Sequence, residues 1–109
     1  MIGRKRFVSS MSKYLRGAAF ERRVKRLLES KGFFVIRAAA SKPIDLICIR
    51  KGEVIIVECK RDVSKVGEKI LRELSQLSSE LGVRVLLATK VDREVIFLDP
   101  QTRSTVSIE

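Results

Sequence analysis

Residues Pro43–Lys60 read PIDLICIRKGEVIIVECK. Two apolar, β-branched runs, Ile44–Ile49 and Val54–Lys60, flank the turn signal Arg50-Lys51-Gly52-Glu53, so the stretch predicts a β-hairpin. Asp45, Glu58 and Lys60 interrupt those runs. With the turn centred between Lys51 and Gly52, Asp45 falls opposite Glu58, and directly paired residues hold their Cβ atoms about 4.5–5.5 Å apart on one face. Lys60, two residues past Glu58, joins that face by strand alternation.

Two carboxylates about 5 Å apart repel by roughly 3 kcal/mol at an effective dielectric of about 20, before any cost of burial. A divalent cation between them reverses the sign. Oxygen donors suit Mg²⁺ or Mn²⁺, and Lys60 beside such an ion is placed to hold an attacking water or to offset charge on a phosphate. The rival is a structural salt bridge in which Lys60 neutralises both acids. It is the weaker reading, because three buried charges seldom outdo apolar packing in stability.

Working outward, Met1–Ser12 (MIGRKRFVSSMS) is polar and basic without a clear period, and predicts a flexible arm whose Arg4, Lys5 and Arg6 can reach a phosphate backbone. From about Lys13 to Lys31 the period is helical. Phe20, Val24, Leu27 and Leu28 form one apolar stripe, with Arg22, Arg23, Lys25 and Arg26 on the other side and Gly32 as the stop. Glu21 borders the apolar face, pointing toward whatever the helix packs on. A short strand follows over Phe33–Ala38. A second helix is expected from Lys65 to Leu81, capped by Ser64 and Gly82, with Val66, Ile70, Leu74, Leu77 and Leu81 inward. Strands over Val83–Thr89 and Glu94–Asp99 complete the order α-β-β-β-α-β-β, to which STVSI can add a final short edge strand. That is a single α/β domain, residues 13–109, with a mixed central sheet flanked by helices and a parallel step through the second helix.

The chain has 109 residues with Lys+Arg 23 against Asp+Glu 13, a net charge of +10. Residues 1–31 hold ten of the basic side chains and only two acidic ones. A cationic third on a nearly balanced body is the footprint of a polyanion binder, nucleic acid above all. There is no histidine, which excludes His-dependent nucleophile and general-base systems, and Cys48 and Cys59 alone cannot build a four-ligand zinc site. In the hairpin register these two cysteines lie roughly 13 Å apart, too far for a disulfide, and read as reduced core residues. No run is long enough to span a bilayer and no signal pattern opens the chain, so a soluble cytoplasmic protein is expected.

Asp45, then Glu58-Cys59-Lys60, resembles the Asp…Glu-x-Lys signature of the restriction-endonuclease-like nuclease superfamily. The surroundings are more specific: GAAFERRVKRLLESKGFFVIRAAASKPIDLI (Gly17–Ile47) and VECK (Val57–Lys60) resemble the archaeal Holliday-junction resolvases, with a fainter likeness through VRVLLATK. The resemblance implies a restriction-endonuclease-like core. It implies Mg²⁺ (Mn²⁺ substituting) held by Asp45, Glu58 and the main-chain carbonyl of Cys59, with Glu21 supporting. Lys60 would assist the water, and Ser41 would lie in a loop near the scissile phosphate. Arg22, Arg37 and Lys42 would contact the DNA backbone, beside Arg4, Lys5 and Arg6 of the arm.

The activity implied is paired hydrolysis of phosphodiesters in four-way junctions by a homodimer, leaving 5′-phosphate and 3′-hydroxyl ends. One departure stands out: the link from Lys60 to the second helix, RDVSKVG, is short and lacks the aromatic usual there. Two rivals remain. One is a repair or restriction-type endonuclease of the same fold without junction selectivity; the other is a non-catalytic nucleic-acid-binding module.

Overall fold

The computed structural model describes residues 2–38 and 44–109, with side chains from Tyr14 onward. Helix α1 (Ile2–Ser30) is followed by β1 (Phe34–Arg37), β2 (Leu46–Arg50), β3 (Glu53–Asp62), α2 (Glu68–Leu81), β4 (Arg84–Val91), β5 (Glu94–Leu98) and β6 (Thr105–Val106). A 3-10 turn, Val63–Lys65, links β3 to α2. The six strands form one sheet in sequence order. All neighbours are antiparallel except β3 and β4, which run parallel because α2 crosses between them. The architecture is the expected mixed sheet between helices.

Helix α1 begins at Ile2 rather than near Lys13, so it takes in the backbone of the segment expected to be an arm. No proline interrupts residues 2–30, and nothing else in that run forces a stop. The far end is sharply defined. Gly32 takes φ +91°; its N–H donates to Glu29 O at 3.0 Å, while Phe33 N–H donates to Leu28 O at 3.1 Å. This is a Schellman ending, and the apolar contact that accompanies such endings is supplied by Leu28 and Phe33, both in the same core cluster.

The predicted stripe is the buried one. Phe20, Val24 and Leu28, with Leu27 at the margin, lie over Leu46, Cys48, Ile55, Val57, Leu86, Ala88 and Phe97. Val24 and Leu28 are fully buried, a gain of about 1.5–3 kcal/mol for each side chain. The opposite face carries a smaller core of Ile56, Val85 and Leu87 under Leu71 and Leu74 of α2, with Val66, Ile70 and Leu77 at its edge. Leu71 lies outside the expected stripe, and Leu81, which belongs to it, is half exposed. Leu81 is the last residue of the helix. The cap differs as well. Gly67 starts α2 with no side-chain bond, because Ser64 is used inside the 3-10 turn, where Asp62 accepts from its N–H.

The β2–β3 hairpin has the predicted register, from Leu46↔Val57 to Arg50↔Glu53. Its two central residues, Lys51 and Gly52, have φ of 41° and 79°, the left-handed pair that suits strand twist in a two-residue turn. Helix α2 packs on β4 and leaves the β1–β3 part of its face uncovered. There Phe34↔Ile49 and Ile49↔Val54 form a cross-strand row, exposed by 69%, 39% and 37% respectively.

Arg50 closes the hairpin onto the rest of the chain. Its guanidinium donates to Lys31 O at 2.7 Å and to Glu109 O at 2.6 Å. It also grips Glu53 Oε1 at 2.9 Å and lies 4.2 Å from the Phe33 ring centroid. Among the described residues, no helix is long and apolar enough to cross a membrane.

Candidate active site

Strand β2 starts at Leu46, so Asp45 stands just outside it, at the junction of three strands. Ala38 N–H donates to Asp45 O at 2.8 Å, and Asp45 N–H donates to Val57 O at 3.2 Å. The second bond is one residue out of the Leu46↔Val57 register. The ladder slips at Asp45, and the direct Asp45–Glu58 pairing expected from the turn is therefore not formed. Instead the Asp45 carboxylate (Oδ2) accepts the Cys59 N–H at 2.8 Å. Where β2 runs out, β3 continues. Its Cys59 amide would lose its ladder partner there, and a short carboxylate side chain replaces that partner.

Glu58 and Lys60 alternate onto the α2 face of β3, as read from the sequence, and line one groove of about 470 Å³ together with Lys65, Lys69 and Glu73. Glu58 is 5% exposed, a buried carboxylate at the margin of the smaller core. Glu21 comes from α1 and gives its Oε1 to Arg37 Nε at 2.7 Å. The expected outer metal ligand and the expected DNA contact are thus paired with each other. Glu21, with a smaller contribution from Asp45, raises the pKa of the Arg37 guanidinium.

All three acids converge electrically on Cys59. Burial first, then Asp45, Glu21 and Glu58 in that order, push its thiol far above the ordinary range. Cys48, buried in the core opposite Ile55, is pushed up to about 12 by burial alone. Both cysteines are free thiols. Held protonated, neither is poised as a nucleophile.

Among the described residues no group of three or more His, Cys, Asp and Glu side chains is gathered to hold a metal. A donor set at this place consists of two carboxylates. Asp45 keeps a second oxygen besides the one on the Cys59 amide, and Glu58 stands next in sequence to Cys59. One or two carboxylates completed by main-chain and water oxygens is the habit of Mg²⁺, which dehydrates reluctantly.

Arg22 is exposed on α1. Ser41 and Lys42 lie outside the described residues, as do the side chains of Arg4, Lys5 and Arg6. Two features had no distinct signal in the sequence. Lys65 and Lys69 face the Glu58–Lys60 groove, although alone they look like ordinary surface lysines. Thr89 lies directly beside Lys60 in the parallel ladder, 1% exposed, with its Oγ1 lacking a hydrogen-bond partner among the described residues.

The family model described as archaeal Holliday junction resolvase (Hjc) matches residues 12–108. The crossover junction endodeoxyribonuclease Hjc of Methanocaldococcus jannaschii is 44% identical over 96 residues, covering 85% of this chain and 72% of that protein. The crystal structure of Hjc from Archaeoglobus fulgidus, a Holliday junction resolvase, superposes with a TM-score of 0.66 over 84% of this chain and 79% of that one. At 21% identity, that likeness establishes the fold. The Asp45–Cys59 contact and the Glu58–Lys60 pair therefore sit in a chain that belongs to the archaeal Holliday junction resolvase (Hjc) family.

Proposed function

We propose that this chain is a Mg²⁺-dependent endodeoxyribonuclease that resolves four-way DNA junctions by paired phosphodiester hydrolysis, acting as a cytoplasmic homodimer. The observation that carries the reading is the convergence of Asp45, Glu58 and Lys60 around Cys59 on β3. Asp45, Glu58 and the Cys59 carbonyl would hold the ion, and Mn²⁺ would substitute. The ion, when bound, supplies Lewis acidity and neutralises phosphate charge.

The chain's own groups do the rest. Lys60 holds the attacking water or offsets the charge that builds on the phosphate. Attack in line breaks the bond to the 3′ oxygen and leaves a 5′-phosphate and a 3′-hydroxyl. Glu21 fixes Arg37 in place for the strand, and the charge of +10 favours binding that weakens steeply with salt.

Two symmetric cuts need two such centres, and each chain carries one Asp45–Glu58–Lys60 set. A second copy supplies the other under a two-fold axis. The uncovered row of Phe34, Ile49 and Val54 offers an apolar surface for it. The test is a supercoiled plasmid that extrudes a cruciform. In Mg²⁺, a dimeric resolvase converts it to linear product and leaves a plasmid without the cruciform intact. Nicking of both plasmids alike would favour a general nuclease, and tight binding with no cutting in Mg²⁺ or Mn²⁺ would favour a binding module.

A further inference from the structure

Two grooves open on either side of Lys60. The first, about 470 Å³, reaches toward α2 and is lined by Lys65 and Lys69. The second, about 280 Å³, reaches toward α1 and is lined by Arg16, Arg61 and Lys65. Lys60 and Lys65 belong to both walls, so the two grooves meet across these side chains.

The short link RDVSKVG places Lys65 there. Asp62 Oδ1 accepts from Ser64 N–H at 3.0 Å and from Ser64 Oγ at 2.8 Å, and Val66 N–H donates to Val63 O at 3.1 Å. These bonds close the 3-10 turn, and Lys65 is its last residue. Two of the nearby acids are already committed, while Glu58 and Glu73 lie in the wall of the first groove. Asp62 is held ionised by its Ser64 hydrogen bonds, and Glu68 is paired with Arg103. Among the described residues, Arg16, Arg61, Lys65 and Lys69 form no ion pair with any carboxylate. Gly67 adds the uncapped start of α2 to the wall of the first groove. Together the two grooves carry Arg16, Lys60, Arg61, Lys65 and Lys69 against Glu58, Asp62 and Glu73, a cationic excess whose natural complement is a chain of regularly spaced monoanions.

We propose that these grooves form one track for a phosphodiester strand. Lys65, shared by both walls, grips the phosphate next to the one at Lys60, and Lys69 and Arg16 extend the grip in the two opposite directions. The proposal rests on the reading that DNA is the substrate, and it assigns to the short link the task of seating the cleaved strand.

The experiment is equilibrium binding of a fluorescent four-way junction and a fluorescent duplex in EDTA, followed across salt concentrations. The proteins are wild type, Lys65→Gln, Lys69→Gln, Arg16→Gln and, as control, Lys51→Gln on the hairpin turn at the other end of β3. Removing one cation from a phosphate lowers the slope of log K against log salt by about 0.7–0.9. The three track variants are expected to show a drop of about that size, Lys65→Arg to recover it, and Lys51→Gln to keep the full slope. A structural role for Lys65 would weaken binding without changing the slope.

An unchanged slope for Lys65→Gln overturns the track, even where the wild type cuts junctions. Lowered slopes in a protein that cuts no DNA in Mg²⁺ support the track and count against the nuclease reading instead.

Discussion

The Asp45 carboxylate and the Cys59 amide, 2.8 Å apart, join the end of β2 to the middle of the Glu58-Cys59-Lys60 run. One oxygen of Asp45 completes the backbone of β3, and the proposed metal role falls to the other. Structural and catalytic demands on this residue can therefore be separated by substitution. Asp45→Asn keeps an oxygen for the amide and removes the charge. It is expected to melt within a few degrees of wild type while cleavage falls by about a hundredfold or more, on the scale of removing a direct electrostatic interaction with the reacting group. Asp45→Ala is expected to lose the same activity and also about 1–2 kcal/mol of stability, from the Cys59 N–H left without a partner. Melting curves and single-turnover cleavage on the same samples separate the two.

Arg50 is basic, yet its contacts serve the fold. Its guanidinium ties β2 to the end of α1, to Glu109 and to Glu53, and covers Phe33. A lysine has neither the fork nor the planar face for these interactions. Arg50→Lys is expected to cost about 2 kcal/mol in urea unfolding, with junction affinity at low salt unchanged below the transition.

Thr89 buries a hydroxyl with no partner among the described residues. Valine has nearly the same shape without that burden. Thr89→Val is expected to stabilise the fold by about 1 kcal/mol, a rise of some 4–8 °C in melting temperature for a domain of this size. A fall in stability would mean that the hydroxyl is satisfied in solution.

Cys48 sets an alkaline limit. Its folded pKa of about 12 lies above the usual 9.0, so the unfolded chain releases this proton first. Below about pH 9 both states hold it and the contribution of Cys48 is intact; above that the unfolded state is favoured, until the folded thiol ionises too. Stability is expected to fall between pH 9 and 12, by no more than about 1.4 kcal/mol per pH unit from this group. Cys48→Ala should flatten that part of the urea-midpoint profile against pH.

Much of this was legible in the chain. The stripe of Phe20, Val24 and Leu28 and the alternation through Cys48, Ile55 and Val57 named the larger core, because burial on one face imposes a period. Lys51-Gly52 set the hairpin register. What alternation cannot see is where a strand stops. The ladder slips at Asp45, so its side chain meets the Cys59 amide rather than facing Glu58.

Pairings between distant residues were equally hidden. Glu21 and Arg37 each carry an expected role, but nothing local joins a helix acid to a strand-end arginine sixteen positions away. In α2, Leu71 replaces Leu81 because the sheet covers the middle of the helix and not its last residue. Lys65 became distinctive only once the 3-10 turn set it beside Lys60.

The most direct measurement is the single-turnover cleavage rate of an end-labelled four-way junction in Mg²⁺ by wild type, Asp45→Asn, Glu58→Gln and Lys60→Gln, with EDTA as the metal-free control. The account predicts symmetric cuts by the wild type, none in EDTA, and losses of about a hundredfold or more in each variant while junction binding persists. Wild-type rates from Glu58→Gln or Lys60→Gln, in protein that is folded and binds the junction, would contradict it.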